Sequence, residues 1–278
     1  MRWLFATDVT DFPAAAEEWL RGDPVRATVP LTVLARMRRG VWSDGVLLGW
    51  LVSGGSGREV CGVALHTPPY PLLLSDLPDE AVAPLAEALR GRDLSGVDGP
   101  VPQVESFAAA WGRPARERMS MRLYRLGTLR DAAAAGTAGT ARLADRDDLD
   151  LVAGWHHAFF AEAEPGGLDD DIAARVETRI LDRELVLWEA ARSPVALAGF
   201  STPIAGMSRI GPVYTPPGFR RRGYGAAVTH AATRIALERG AGYVLLFTDL
   251  ANPTSNSIYQ ALGYRPVGDH AMVYFDQE

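Results

Sequence analysis

The chain has 278 residues, of which 47% are apolar, and carries a net charge of −6 at neutral pH. This size allows a sizeable core and two domains of ordinary length, and no apolar run approaches the ~18 residues that a membrane-spanning helix requires. The negative charge argues against a general nucleic-acid binder, because nonspecific affinity for nucleic acid needs many unopposed cations.

The cysteine content and the N-terminal sequence bear on the cellular compartment. Cys61 is the single cysteine, so the chain cannot form an internal disulfide. The N-terminal residues MRWLFATDVTDFP are a poor match to a signal peptide. We therefore predict a cytoplasmic protein, with Cys61 as a core residue in an alternating apolar segment.

The first half of the chain predicts helices and strands in alternation. Helical patterns lie near residues 11–20, 29–39, 79–90 and 103–112. Strand patterns lie near residues 46–52, 60–66 and 71–75, near residue 97, and in the segment MRLYRL. The following stretch, TLRDAAAAGTAGT (128–140), has no large apolar anchors and is predicted to be a linker between 1–127 and 141–278.

The second half begins with two predicted helices and three predicted strands. The first helix follows the acidic residues that open DRDDLDLVAGWHHAFFAEAE, and the second runs from Asp169 to Leu181. The strands are ELVLWEA, VALAGFST and SRIGPVY. The segment AAVTHAATRIALERG then predicts a helix that ends at Gly240, with one apolar face made by Val228, Ala231, Ala232 and Ile235.

Three further elements close the chain. The run YVLLFT is typical of a strand buried on both faces. The segment NPTSNSIYQALG predicts a short helix with Asn252 as its N-cap and Gly263 at its end, and MVYF predicts a last strand. The first half of the chain repeats this order of elements more loosely, without repeating the residues.

The loop within GPVYTPPGFRRRGYGAAV (211–228) lies between a strand and a helix. A helix N-terminus presents main-chain N–H groups without intrahelical partners, and the helix dipole adds partial positive charge, so such a turn favours an anion. Gly223 and Gly225 let an anion approach the backbone, and three arginines add charge at the rim. The alternative is a surface loop with ordinary solvated arginines.

FRRRGYGAA (219–227) resembles the R/Q-x-x-G-x-G/A signature of the GCN5-related N-acetyltransferases (GNAT), placed as in that family between a strand and a helix. A second family element is an Asn seven residues before a Tyr, followed by Gly and an aromatic residue. Asn252, Tyr259, Gly263 and Tyr264 match it. The two motifs occur in the family's order, and the resemblance covers about 141–278.

The resemblance implies the GNAT fold, an α/β (α+β) arrangement with a mixed central sheet flanked by helices. The order of elements in the whole chain also resembles tandem acetyltransferases of actinobacteria. In that reading 1–127 is a degenerate GNAT-like domain, 128–140 is a linker and 141–278 is the catalytic domain that binds acetyl-CoA. Acidic LLLSDLPDE stands before the helix near 79–90 and would repel a pyrophosphate, so we expect no cofactor in the first domain.

The family moves an acetyl group from acetyl-CoA to an amine, and the resemblance implies which residues bind the donor. The backbone of Val213, Tyr214 and Thr215 would pair with the pantetheine amides, although simple sheet pairing is the alternative. Arg220 holds the first position of the signature. The pyrophosphate would be held by the backbone N–H groups that follow, those of Arg221, Arg222, Gly223, Tyr224, Gly225 and Ala226.

Tyr259 is the predicted catalytic acid. A free thiol has a pKa of about 8.5, so a positioned phenol that protonates the leaving thiolate of CoA would speed its departure. The alternative is a packing role or a structural contact with the sulfur. Asn252 is predicted either to cap its helix only or also to contact the cofactor.

The general base is left open by the sequence. The strand MSRIGPVYT carries no carboxylate, whereas many relatives have a glutamate there. The candidates are Asp249, Glu162, Glu164, His156 and His157, or water, and each side chain has an ordinary surface, capping or packing role as its alternative. We expect no metal ion.

The predicted activity is direct acetyl transfer to a primary amine of a small molecule in a ternary complex. The alternatives are a catalytically silent acyl-CoA-binding or regulatory module and an enzyme that acetylates a protein N-terminus. We expect no nucleic-acid or membrane partner and either a monomer or a homodimer.

Overall fold

The computed structural model describes residues 1–41, 44–55, 59–131, 136–163 and 172–276. These residues form twelve strands and eight α-helices. The chain divides into two compact units, the first made of Met1–Leu123, Asp249–Ala251 and Val267–Glu278, and the second of Tyr124–Thr248 and Asn252–Pro266.

Among the described residues, the first unit contains four helices, five whole strands and most of two further strands. The helices are α1 (Ala14–Gly22), α2 (Thr28–Met37), α3 (Asp79–Ala88) and α4 (Val101–Trp111). The strands are β1 (Arg2–Ala6), β2 (Leu47–Val52), β3 (Val60–His66), β4 (Leu72–Leu74), β5 (Gly96–Pro100), most of β6 (Ala115–Leu126) and the second part of β12 (Tyr264–Phe275). Pairing is antiparallel from β1 to β4, parallel between β4 and β5, and antiparallel between β5 and β12.

Contacts divide the chain differently from the sequence-based boundaries of 1–127, 128–140 and 141–278. The second unit begins at Tyr124, and the chain returns to the first unit at Val267. The reason is the length of β12, whose later residues pair with β5 and place Val273 and Phe275 in the core of the first unit. Cys61 is only partly buried at the edge of that core, which corrects its prediction as a core residue.

The second unit contains the remaining elements. The helices are α5 (Leu149–Ala163), α6 (Ile172–Leu181), α7 (Tyr224–Glu238) and α8 (Pro253–Ala261). The strands are β7 (Thr140–Leu143), β8 (Leu185–Ala190), β9 (Ser193–Phe200), β10 (Met207–Tyr214) and β11 (Tyr243–Asp249). Strands β7 to β10 are antiparallel in chain order, and β11 pairs with β10 in parallel.

The sheet of the second unit is covered on both faces. Successive side chains of a strand point to opposite faces, and Leu185 and Leu187 of β8 pack in one apolar cluster with α5 and α6. Val186, which lies between them, packs in a second cluster with Val228 and Ala232 of α7. This alternation packs α7 across β8, β9 and β10, and residues 215–223 connect the end of β10 to its N-terminus.

Most of the elements predicted from the sequence are present, and most of their ends differ by a few residues. The exceptions are β6, which begins at Ala115 and not at Met121, and β12, which begins at Tyr264 and not at Met272. Val228, Ala231 and Ala232 are buried on α7 as predicted, and Val244, Leu245 and Leu246 of β11 are all buried. Strands β1 and β7 were not predicted. Strand β7 begins at Thr140, in the segment that the sequence assigns to a linker. Residues 169–171 of the predicted second helix lie outside the described residues.

Gly263, which follows α8, adopts a conformation that other residues tolerate poorly. Its φ is +102°, and a Cβ atom at this position would overlap the carbonyl oxygen of Thr128. We expect Gly263→Ala to lower the free energy of unfolding by at least ~2 kcal/mol, through backbone strain and steric overlap. Urea denaturation measures this change.

The matched control is Gly242→Ala in the same unit, where a Cβ atom would meet only the Gly206 carbonyl oxygen, at an ordinary 3.7 Å. We expect this variant to stay within about 0.5 kcal/mol of the wild type. Equal stabilities of the two variants would contradict the prediction.

Two buried histidines, His66 in the first unit and His156 in the second, make stability depend on pH. Burial disfavours the charged imidazolium and lowers each pKa to about 4, whereas an unfolded histidine titrates near pH 6.5. Because the unfolded chain binds the proton first, the stabilisation is present above about pH 6.5 and is lost as the pH falls toward 4. We expect a loss on the order of 2 kcal/mol per histidine between pH 7 and pH 5.

His156→Leu removes one of these groups and fills the site with an apolar side chain. In urea denaturation at pH 7 and pH 5, its loss of stability should be smaller than the wild-type loss by about 2 kcal/mol. An identical loss in the variant and the wild type would show that His156 does not contribute.

Candidate active site

The parallel strands β10 and β11 separate at the centre of the second unit. Met207 to Ile210 pair with Tyr243 to Leu246, and this pairing ends at Ile210. Val213 and Tyr214 remain paired with β9 on the other side, after a bulge. In the described structure, the edge of Gly211–Tyr214 that faces β11 therefore has no paired strand, and β10 ends at Tyr214, where Thr-Pro-Pro predicts an exit from the sheet.

The turn from β10 to α7 presents a run of unpaired main-chain N–H groups. A 3₁₀ turn at Pro217–Phe219 precedes it, and Gly223 is the N-cap of α7 with φ +84° and no side-chain capping bond. Within the described residues, no hydrogen-bond acceptor pairs with the N–H groups of Arg221 to Ala226. Together with the helix dipole, this arrangement is suited to an anion.

Arg221 also has a left-handed backbone, with φ +63°. This conformation costs a residue other than glycine roughly 1–2 kcal/mol, and such strain is concentrated at ligand sites and other functional positions. The strained residue lies at the start of the unpaired N–H groups. The backbone of the turn is thus held in a shape that exposes donors.

The three arginines of the turn differ in their surroundings. The Arg220 side chain contacts other parts of the protein: Nε donates to the Thr215 carbonyl oxygen at 2.8 Å, and Nη2 donates to the two Glu162 carboxylate oxygens at 2.9 and 2.7 Å. Arg221 and Arg222 are exposed. They are the cations of this turn that lie in solvent beside the unpaired N–H groups.

The two glycines of the turn differ in how strongly the protein itself requires them. Gly223 has a positive φ, and a Cβ atom there would lie 2.7 Å from Oγ1 of Thr137. At Gly225 a Cβ atom would make an ordinary contact with Thr215 at 3.5 Å, so contacts within the protein do not demand glycine there. The position of Thr137 beside the turn was not predicted, because its segment carries no motif.

Tyr259 lies in α8 with its side chain buried in the core beside α7. Its ring packs edge-on against Tyr264, at 6.2 Å between centroids. Burial raises the pKa of Tyr259 to about 12, and a side-chain hydrogen bond with Ser255 opposes part of that rise. The phenol is therefore neutral at physiological pH and carries a proton that it can donate.

A hydrogen-bonded group beside α8 was missed by the sequence analysis. The Tyr124 hydroxyl donates to Oδ1 of Asn256 at 2.9 Å and accepts from Nε2 of Gln260 at 3.1 Å. Tyr124 is fully buried and lies far from α8 in sequence. No local pattern marks this pairing.

Asn252 caps α8, as predicted. Its Oδ1 accepts from the Ser255 N–H at 3.0 Å, and its carbonyl oxygen accepts from Nδ2 of Asn256 at 2.8 Å. Contact between Asn252 and a cofactor stays a prediction.

Four of the five candidate bases lie among the described residues, each in a different environment. Both Glu162 oxygens accept from Arg220, and Oε1 also accepts from the Tyr214 hydroxyl at 3.3 Å. Asp249 accepts from the Ala251 N–H at 2.8 Å. His156 is buried, donates from Nδ1 to the Val152 carbonyl oxygen at 2.9 Å and has a pKa near 4. His157 is exposed, and Glu164 lies outside the described residues.

Two kinds of feature are absent from the described residues. No group of three or more His, Cys, Asp or Glu side chains is arranged to bind a metal ion. In the same part of the chain, every helix is too short or too polar to cross a bilayer.

The family model for the acetyltransferase (GNAT) family matches residues 149–264. Among solved structures, a GNAT-family acetyltransferase from Colwellia psychrerythraea has a TM-score of 0.62 and 10% identity, over 99% of this chain and 100% of that one. A GCN5-related N-acetyltransferase from Sphaerobacter thermophilus has a TM-score of 0.62 and 16% identity, over 98% and 94%.

A tandem GNAT protein from the clavulanic acid biosynthesis pathway has a TM-score of 0.56 and 14% identity, over 100% of both chains. The chain has no significant match among curated protein sequences. At these identities the likeness to solved structures shows the fold, and it confirms the predicted fold class. The chain therefore has the GNAT fold and carries an acetyltransferase domain of the GNAT family at residues 149–264.

Proposed function

We propose that the second unit is an acetyl-CoA-dependent N-acetyltransferase that acts on a primary amine of a small molecule. The GNAT domain indicates acyl-CoA-dependent acetyl transfer. The observation that carries the proposal further is the run of N–H groups from Arg221 to Ala226, for which the described residues provide no acceptor, next to strands that separate. A diphosphate supplies the anionic oxygens that these donors lack.

The residues of the turn fit the diphosphate of CoA. The main-chain N–H groups of Arg221, Arg222, Gly223, Tyr224, Gly225 and Ala226 would hold it, and Gly225 leaves the approach to the backbone open. The exposed Arg221 and Arg222 side chains add positive charge without a permanent partner in the described structure. Main-chain hydrogen bonds to phosphate fix orientation, and the two cations strengthen binding at low salt.

The open edge of β10 fits an extended ligand with amide groups. Val213 and Tyr214 present main-chain groups on the side where β11 has separated. Thr215 would contribute its N–H, because its carbonyl oxygen already accepts from Arg220. A pantetheine arm laid along this edge would continue the sheet, which is the mode in which peptides add to exposed strands.

Bound acetyl-CoA supplies an activated acetyl thioester, and we propose that Tyr259 acts as the acid in its transfer to the amine. The raised pKa of Tyr259, about 12, keeps its proton on the phenol until negative charge develops on sulfur. Burial makes this phenol a weaker acid than a free tyrosine, so the role requires the developing thiolate to lie within hydrogen-bond distance of the hydroxyl.

The amine must lose a proton before it attacks. We propose that water carries this proton to solvent and that neither Glu162 nor His156 receives it. Glu162 is bound by Arg220 and Tyr214, and His156 has a pKa near 4 and is buried.

We further propose a cytoplasmic protein, since a single cysteine suits a reducing compartment.

One observation favours a second candidate, a silent acyl-CoA-binding module. Strand β10 carries no carboxylate to serve as a base. Such a module would bind acetyl-CoA and would acetylate none of a panel of small amines, polyamines and N-terminal peptides, whereas the enzyme proposed here acetylates at least one.

Gly223→Ala tests the anion site. The substitution strains the left-handed N-cap and crowds Thr137, so it should weaken acetyl-CoA binding about tenfold or more in isothermal titration calorimetry. Gly218→Ala is the control in the same loop, since a Cβ atom there has no neighbour within 4 Å, and it should bind like the wild type. Equal affinities of the two variants would place the diphosphate elsewhere.

Tyr259→Phe tests the proposed acid. The variant lacks the proton, so kcat with an accepted amine should fall on the order of 10²-fold or more. The dissociation constant for acetyl-CoA should change little, because the ring stays in the core. A kcat equal to that of the wild type would reject the acid role and leave Tyr259 as a packing residue.

A further inference from the structure

Glu162 and Arg220 join two parts of the second unit that are distant in sequence. Glu162 lies in the last turn of α5, and Arg220 begins the turn that leads to α7. Nη2 of Arg220 donates to both carboxylate oxygens of Glu162, at 2.9 and 2.7 Å. This pair connects a helix on one face of the sheet to the residue just before the unpaired N–H groups.

Arg220 also closes the loop that precedes it. Its Nε donates to the Thr215 carbonyl oxygen at 2.8 Å, across the intervening Pro-Pro-Gly-Phe. Within that span, the N–H of Phe219 donates to the Pro216 carbonyl oxygen at 2.9 Å. The guanidinium therefore holds the two ends of segment 215–220 together. This contact also positions the residues that follow Arg220.

Tyr214 adds a third point of attachment. Its hydroxyl donates to Oε1 of Glu162 at 3.3 Å, and the Arg220 guanidinium lies 5.8 Å from the centre of its ring. On α5, Trp155 packs against Tyr214 at 6.3 Å between ring centres. Strand β10, helix α5 and the turn are thus held together around one guanidinium.

We propose that Glu162 and Arg220 are a positioning pair that holds the turn in its binding shape, so that acetyl-CoA affinity depends on a carboxylate that never touches the cofactor. The proposal rests on the proposed function. It gives both residues a role that differs from those the sequence indicates, a cofactor contact for Arg220 and a base for Glu162.

The contacts favour positioning over the two other roles. Nε and Nη2 of Arg220 already donate to protein oxygens, and the adjacent carboxylate offsets the charge that a phosphate would seek. Both Glu162 oxygens accept from Arg220, and this bidentate contact orients the carboxylate toward the turn. The pair is partly exposed, with 43% and 48% of the two side chains accessible, so its effect on affinity should be moderate.

The test measures acetyl-CoA affinity by calorimetry at one ionic strength for Glu162→Gln, Arg220→Gln and the double variant. We expect each single variant to bind about fivefold more weakly, the equivalent of ~1 kcal/mol. The double variant should bind no more weakly than Arg220→Gln, because the two residues act through one contact. Glu177→Gln, an exposed carboxylate change on α6, should bind like the wild type.

Arg222→Gln separates positioning from charge. Like Arg220→Gln, it removes one positive charge from the turn. Its effect on affinity should add to that of Glu162→Gln, because no described contact joins Arg222 to Glu162. Unchanged or tighter binding by Glu162→Gln, with weaker binding by Arg220→Gln, would make Arg220 a phosphate ligand and overturn the proposal. A fall in kcat alone in Glu162→Gln, with affinity unchanged, would make Glu162 the base and overturn it as well.

Hydrogen exchange without ligand separates this proposal from the proposed function. The amides of Phe219, Arg220 and Ala227, which donate to carbonyl oxygens within the turn, should exchange faster in Glu162→Gln and in Arg220→Gln than in the wild type, and those of β8 and β9 should not change. Unchanged exchange in the turn would overturn the positioning role. If the wild type binds no acetyl-CoA, the proposed function fails, and the exchange result still decides whether the pair holds the turn.

Discussion

The structure of the second unit depends on one constraint: the N-terminus of α7 has main-chain donors that the helix itself cannot satisfy. In folded proteins nearly all such groups find a partner or face water. Here α7 is fixed by its packing across β8, β9 and β10, so the donors from Arg221 to Ala226 are fixed as well, at the point where β10 leaves β11. Arg221 and Gly223, on either side of Arg222, both have left-handed backbones.

Helix α8 contributes a buried side chain, Tyr259, to the candidate site. Tyr259, Tyr264 and Tyr124 all lie in the core cluster that α7 shares with the sheet. Tyr264 pairs with Thr233 at 2.6 Å, and Tyr124 pairs with Asn256 and Gln260, whereas Tyr259 is bonded to Ser255 of its own helix. The hydroxyl of Tyr259 therefore has a partner in its own helix, whereas those of Tyr264 and Tyr124 are bonded to residues far away in sequence.

Local patterns predicted the elements well where the pattern is a property of one element. The apolar face of α7 and the doubly buried β11 follow from spacing alone, and the two GNAT motifs place the turn and α8 in the family's order. Local patterns did not predict contacts between segments that are distant in sequence. These are Glu162 with Arg220, Tyr124 with Asn256, Thr137 beside Gly223, and the return of β12 to the first unit. Strands β1 and β7 were missed because five and four residues carry little periodicity.

The most direct measurement of the central claim is a crystal structure of the protein with saturating CoA. The proposal predicts diphosphate oxygens within hydrogen-bond distance of the N–H groups of Arg221 to Ala226, with the pantetheine arm along Val213 and Tyr214 and its sulfur near the Tyr259 hydroxyl. A diphosphate bound elsewhere, with this turn occupied only by water, would contradict it.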